Sequence, residues 1–116
     1  MARQYTRLVD IQRVPNATGV LYTNPAATTT FVKGFSFYNA GSVSGTVAIF
    51  NVPDVASATG IPSSGNKITE IVLASTETFL LEYPYPITMI DQGDSIQGYA
   101  TTVSDVTVQI LGDTDA

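Results

Sequence analysis

The chain of 116 residues contains no cysteine and no histidine. Without cysteine there is no disulfide framework, no thiolate metal site and no thiol nucleophile. Without histidine the commonest metal ligand and the commonest general base are both missing. Nucleophilic catalysis of the Ser-His-Asp or Cys-His kind therefore cannot be assembled from these residues. Charge is also scarce. Charged residues make up 13% of the chain, against about a quarter in an ordinary soluble domain. No apolar run approaches the ~18 residues of a membrane span, so no membrane partner is expected. The first residues, Met-Ala-Arg-Gln-Tyr-Thr-Arg, are not followed by the apolar core of a signal peptide. The Gly41–Gly45 stretch lies between strand-like segments, with no helix to receive a phosphate.

What remains is acidic and unevenly distributed. The net charge is −5, which argues against nucleic acid as a partner. Arg3, Arg7 and Arg13 stand against Asp10 alone, whereas Lys33 and Lys67 later face nine carboxylates. A mildly basic arm on an acidic body suits head-to-tail contact between copies. Solvated charges on an ordinary strand would look the same.

Gly and Pro punctuate the chain at short intervals, and the segments between them are rich in β-branched and aromatic residues. Strands are expected at residues 4–14, 20–23, 28–39, 46–52, 67–73, 77–82, 87–90, 95–100 and 106–111. The longest carries Phe31, Phe35 and Phe37 at spacings that share one face, predicted to be the core face. Residues 46–52 are apolar on both faces, which fits a central strand or one whose outer face meets a neighbour. Asn24-Pro25, Asn39 to Gly45, Ala74-Ser75 and Asp91-Gln-Gly-Asp94 read as turns. Tyr83-Pro-Tyr-Pro86 reads as an extended break, and the tail from Gly112 is expected to fray. The one long irregular segment, Pro53 to Asn66, has room for a helical turn at Asp54–Ala58. Eight or nine short strands and no long helix predict one domain: an all-β, antiparallel two-sheet sandwich of jelly-roll type, with residues 1–14 as an arm or first strand.

Candidate chemistry is sparse. A Ser-Lys pair would have to use Lys33 or Lys67, and no motif supports it. Glu70, Glu77 and Glu82 supply carboxylates for glycoside chemistry only if the fold pairs them. Asp91 and Asp94 offer hard oxygen ligands of the kind calcium takes, but an Asx-type turn explains them better. No catalytic residue, cofactor or metal is therefore assigned. Tyr83, Tyr85 and Tyr99 are the aromatics that a carbohydrate-binding module would use for stacking.

The run Leu21-Tyr-Thr-Asn-Pro-Ala-Ala-Thr-Thr-Thr-Phe-Val-Lys-Gly-Phe-Ser-Phe-Tyr-Asn39 resembles a pattern of small virion proteins of tailed bacteriophages. Asp91-Gln-Gly-Asp-Ser-Ile-Gln97 resembles that group's Gly-Asp turn, and Val106-Thr-Val-Gln-Ile-Leu111 its closing strand. The likeness covers residues 18–112. It implies a non-enzymatic structural protein of the virion, foremost a capsid cement or decoration protein, with a neck, tail or fibre-base accessory as the alternative. The implied partners are the major capsid protein or other virion proteins, and further copies in a homo-dimer or homo-trimer. On that reading the residues expected to make assembly contacts are Arg3, Tyr5, Arg7 and Arg13 in the arm, and Val55, Ile61 and Pro62 in the long loop.

Overall fold

Alternation of apolar and polar residues at period two, broken by turn residues, makes this chain fold as strands. The computed structural model describes residues 6–101 and 105–115, with the side chains of 6 and 7 excepted. Its strands are β1 (Thr6–Arg13), β2 (Gly19–Thr23), β3 (Thr29–Asn39), β4 (Gly45–Val52), β5 (Lys67–Leu73), β6 (Thr78–Met89), β7 (Ser95–Ala100) and β8 (Val106–Asp115). They form two antiparallel four-stranded sheets, ordered β1-β8-β3-β6 and β2-β7-β4-β5. The pairs β1/β8, β2/β7, β3/β6 and β4/β5 are nested, as in one long hairpin. Rolling that hairpin up brings β3 beside β8 and β4 beside β7, closing each sheet. This is the jelly roll, and its hairpin tip is the segment between β4 and β5.

The core lies between the sheets and contains Val32, Phe35, Phe37, Val47, Ile49, Leu73, Met89, Ile96, Val106, Val108 and Ile110. Phe35 and Phe37 stack at 5.8 Å, and Tyr83 meets Phe35 edge-on at 6.1 Å. Phe31 does not join them. The register slips between Val32 and Gly34 against both neighbours: Lys33 is an extra residue against β8, whereas against β6 the surplus lies on β6, in residues 83–86. A bulge reverses which side chains face inward. Val32 is therefore buried and Phe31 only half-buried, contrary to the expectation of one continuous phenylalanine face.

Three other expectations change. The strands expected at 77–82 and 87–90 are one, β6 (Thr78–Met89). The Tyr-Pro-Tyr-Pro run remains an interruption: Val32 pairs with Ile87 and Gly34 with Glu82, so residues 83–86 bow out of the ladder. Proline has no N–H to give to a ladder, and an edge strand is where this costs least. The tail does not fray after Leu111. β8 continues to Asp115 because Asp113, Thr114 and Asp115 pair with Phe31, Thr30 and Thr29 of β3. Finally, Asp54–Ala58 is not helical. Val55 and Ala58 bridge each other around Ala56 (φ 51°) and Ser57 (φ 68°), a two-residue turn with both central residues left-handed. A single 3-10 turn at Ser64–Asn66 leads into β5 instead.

Candidate functional site

The turn between β2 and β3, the turn between β6 and β7, and the first part of the β4–β5 loop converge at one end of the sandwich. Asn24 fastens the first two. It is buried, and its Nδ2 donates to the carbonyls of Thr28 (2.8 Å) and Asp91 (3.1 Å). Its Oδ1 accepts from the Thr30 hydroxyl at 2.6 Å, and that hydroxyl lies 2.9 Å from the Tyr22 hydroxyl. Its backbone N–H donates to the Asp94 carbonyl, and its own carbonyl accepts from the Gly93 N–H.

Asp94 then holds the long loop. Its Oδ2 accepts from the Asp91 N–H (3.1 Å), closing its own turn, and its Oδ1 accepts from the Asp54 N–H (2.9 Å). Asp54 Oδ2 in turn accepts from the Ser57 N–H at 2.8 Å. Gly93 has φ +95°, and a Cβ there would stand 2.7 Å from the Ser57 carbonyl oxygen. Only glycine allows both the turn and the close approach of the loop.

Beyond this anchor the loop folds back over the outer face of the second sheet. Gln97 Nε2 donates to the Gly60 carbonyl (2.9 Å) and to Ser95 Oγ (3.0 Å). Under it Ala48, Phe50 and Val52 form a small second apolar cluster, flanked by Tyr99. The apolar outer face of β4 is thus met by the protein's own loop.

The carboxylates of Asp54, Asp91 and Asp94 lie within 4.8 Å of one another. These are the only residues among those described that combine the Asp91-Asp94 pair with a third acid. Asp54 and Asp94 already accept backbone N–H groups, which is the work of turn building. The remaining acids are dispersed. Glu70 accepts from Lys67 Nζ at 2.7 Å, Glu77 accepts from the Ala74 N–H, and Glu82 sits opposite Gly34 on β6. The hydrogen bond from Lys67 to Glu70 raises the lysine's pKa above its ordinary value. The same ammonium stands 6.0 Å from the Phe50 ring centroid.

The residues expected to make assembly contacts divide between the two ends. Val55 and Ile61 are 65% and 88% exposed on the anchored loop, Pro62 is half-buried beside them in sequence, and Ile90, 65% exposed, adjoins the Asp91 turn. Arg13 is at the other end of the sandwich, ion-paired with Asp105 at 2.9 Å on the surface. Arg7 sits opposite Leu111 on β1, and its side chain, like Arg3 and Tyr5, lies outside the described residues. The three tyrosines also separate. Tyr83 packs against the core, Tyr99 covers Phe50 on the outer face of the second sheet (6.1 Å), and Tyr85 projects from the break in β6. The sequence reading missed Asn24, Gln97 and Ile90. The acid closing each turn was visible, but not the N–H across space that it would accept. Comparison with protein-family models, with curated proteins and with solved structures finds no match to this chain.

Proposed function

We propose that this protein is a non-enzymatic structural subunit of a virion, a cement or decoration protein that packs its loop-bearing end against the shell. The observation that carries this reading is the presentation of Val55, Ile61 and Ile90. Three large apolar side chains are held in water by turns cross-braced through Asn24 and Asp94. Keeping a loop rigid while its apolar side chains stay exposed favours docking, because little ordering entropy is lost on contact. Scarce charge, absent histidine and cysteine, and carboxylates committed to turns support the same reading. The jelly roll is used by viral capsid and lectin domains alike, so the fold is compatible with this role without assigning it.

The test is co-sedimentation with empty shells of the phage that encodes the chain. Wild-type protein is expected to pellet with shells at a copy number in the hundreds, on the scale of shell subunits. The Val55→Asp, Ile61→Asp double variant is expected to stay in the supernatant with an unchanged melting temperature. Both side chains are exposed, and such surface changes usually stay within about 0.5 kcal/mol. A copy number of six or twelve would move the protein to the neck or tail. Absence of wild-type binding, or binding indifferent to the double variant, overturns the cement reading.

A further inference from the structure

Each sheet of the jelly roll has two edges, and three of the four are blunted. β1 slips register twice along β8. β2 has only five residues and a slip of its own. β6 is interrupted by Pro84 and Pro86, whose run bows out of the ladder. Bulges, short strands and prolines are the devices by which proteins keep sheet edges from pairing with other chains. β5 is longer, at seven residues, and its one slip falls at its start, between Lys67 and Thr69, so that its regular part runs from Thr69 to Leu73. It pairs residue for residue with Ile49 back to Gly45, contains no proline, and among the described residues has no strand on its outer side.

The surroundings of this edge are also incompletely covered. Ile71 of β5 and Phe79, Leu81 and Tyr83 of β6 are only half-buried, although all pack against the core. Thr69 Oγ1 and the Tyr83 hydroxyl lie 3.4 Å apart, joining the two edge strands along this side. On the outer face Val72 is 68% exposed. The electrostatics are permissive too. Self-association of a chain with net charge −5 is opposed by repulsion, but β5 is locally neutral because Lys67 and Glu70 are paired at 2.7 Å.

We propose that β5 is a self-association edge: two copies pair β5 with β5, antiparallel, about a two-fold axis, joining their β2-β7-β4-β5 sheets into one of eight strands. The strand is self-complementary when the axis passes Ile71. Ile71 then meets Ile71 of the second copy over the half-covered core, Thr69 meets Leu73, and Glu70 meets Val72. An axis at Glu70 would oppose two carboxylates, which cross-strand pairing disfavours. The isologous contact closes on itself, and the joined sheet ends on both sides in the short, slipped β2. This inference deepens the assembly reading but concerns the isolated protein, so dimerisation and shell binding fail or succeed separately.

Sedimentation of the purified full chain is expected to show a concentration-dependent dimer. Val72→Glu, which sets a carboxylate opposite Glu70 of the second copy, is expected to abolish the dimer peak with the β-sheet circular dichroism spectrum retained, whereas Val43→Glu, at an exposed position in the turn before β4, leaves it intact. The absence of cysteine allows the register to be read directly. Opposed residues in an antiparallel pair lie about 4.5–5.5 Å apart at Cα, within disulfide range. A mixture of Glu70→Cys and Val72→Cys copies is therefore expected to form a mixed disulfide several-fold faster than either variant alone. A wild-type chain that remains monomeric at every concentration tested overturns the proposal. So does a dimer that is indifferent to Val72→Glu, or one that gives no preferred mixed disulfide.

Discussion

Asn24 and Asn39 stand at opposite ends of the sandwich and make nearly the same clasp. Each is buried and donates through Nδ2 to the carbonyl four residues on, Thr28 in one case and Val43 in the other. Each also donates across space, to the carbonyls of Asp91 and Leu73 respectively. Each exchanges two backbone hydrogen bonds with a four-residue turn, Asn24 with Asp91–Asp94 and Asn39 with Ala74–Glu77. Both turns have a left-handed third residue, and both end in an acid that accepts the N–H of the first. The difference lies in what is attached. At the Asn24 end the third residue is Gly93, and Asp94 uses its second oxygen to hold Asp54 and the long loop. At the Asn39 end the third residue is Thr76, Glu77 is exposed, and Asn39 spends its own Oδ1 on the Gly41 N–H. One clasp has been extended into a platform that presents Val55 and Ile61, while the other only closes the fold.

The comparison breaks most visibly if the asparagines are removed. Asn24→Ala and Asn39→Ala each leave carbonyls without donors at the sandwich ends. Each is expected to cost about 2–3 kcal/mol in urea denaturation, within the range for orphaned buried polar groups. Only Asn24→Ala is expected to open residues 53–60 to proteolysis in the folded state. Equal protection of that loop in both variants would show that the loop does not depend on the clasp. The left-handed positions give the next largest effect, with opposite signs. Gly93→Ala places a side chain at φ +95° against the Ser57 carbonyl and is expected to destabilise by about 1–2 kcal/mol. Thr76→Gly relieves a β-branched residue at φ 62° and is expected to stabilise by about 0.5 kcal/mol, the relief exceeding the added freedom of the unfolded chain. Two shifts of the same sign would mean that the turns are not equivalent.

The strand pattern was legible because period-two alternation and turn residues act locally. β5 and β7 have the bounds expected from sequence, and β4 is central, one of the two placements that its apolar faces suggested. The failures share a physical cause, in that neighbours decided the outcome. Lys33 is an extra residue only with respect to the register of β8, so the burial of Val32 over Phe31 could not be read along one strand. The tail is a strand because β3 pairs with it as far as Asp115, despite its acids and glycine. Of the loop residues expected to make assembly contacts, Val55 and Ile61 are exposed and Pro62 is half-buried. The residues that hold them, Asn24, Asp94 and Gln97, act over separations of 37 to 67 residues. Composition marks such residues as turn formers or strand polars and gives no sign of what they reach.

The smallest expected difference between the two ends tests whether the second oxygen of Asp94 is the element that distinguishes them. Asp94 accepts two N–H groups, from Asp54 and Asp91, one on each oxygen. In Asp94→Asn one of those positions becomes an NH2 that faces another N–H, so whichever way the amide turns, one bond is lost. Glu77 accepts only one backbone N–H, from Ala74. In Glu77→Gln the amide can turn its oxygen to that N–H and its NH2 to water, so the bond survives. Asp94→Asn is therefore expected to cost about 1 kcal/mol, the net worth of one such bond, and Glu77→Gln close to nothing. Amide hydrogen exchange locates the loss: the Asp54 or Asp91 N–H is expected to exchange faster in Asp94→Asn, while the Ala74 N–H is unchanged in Glu77→Gln. Equal costs in the two variants would mean that Asp94 serves its own turn alone, and that the loop is held by Gly93 and Gln97 instead.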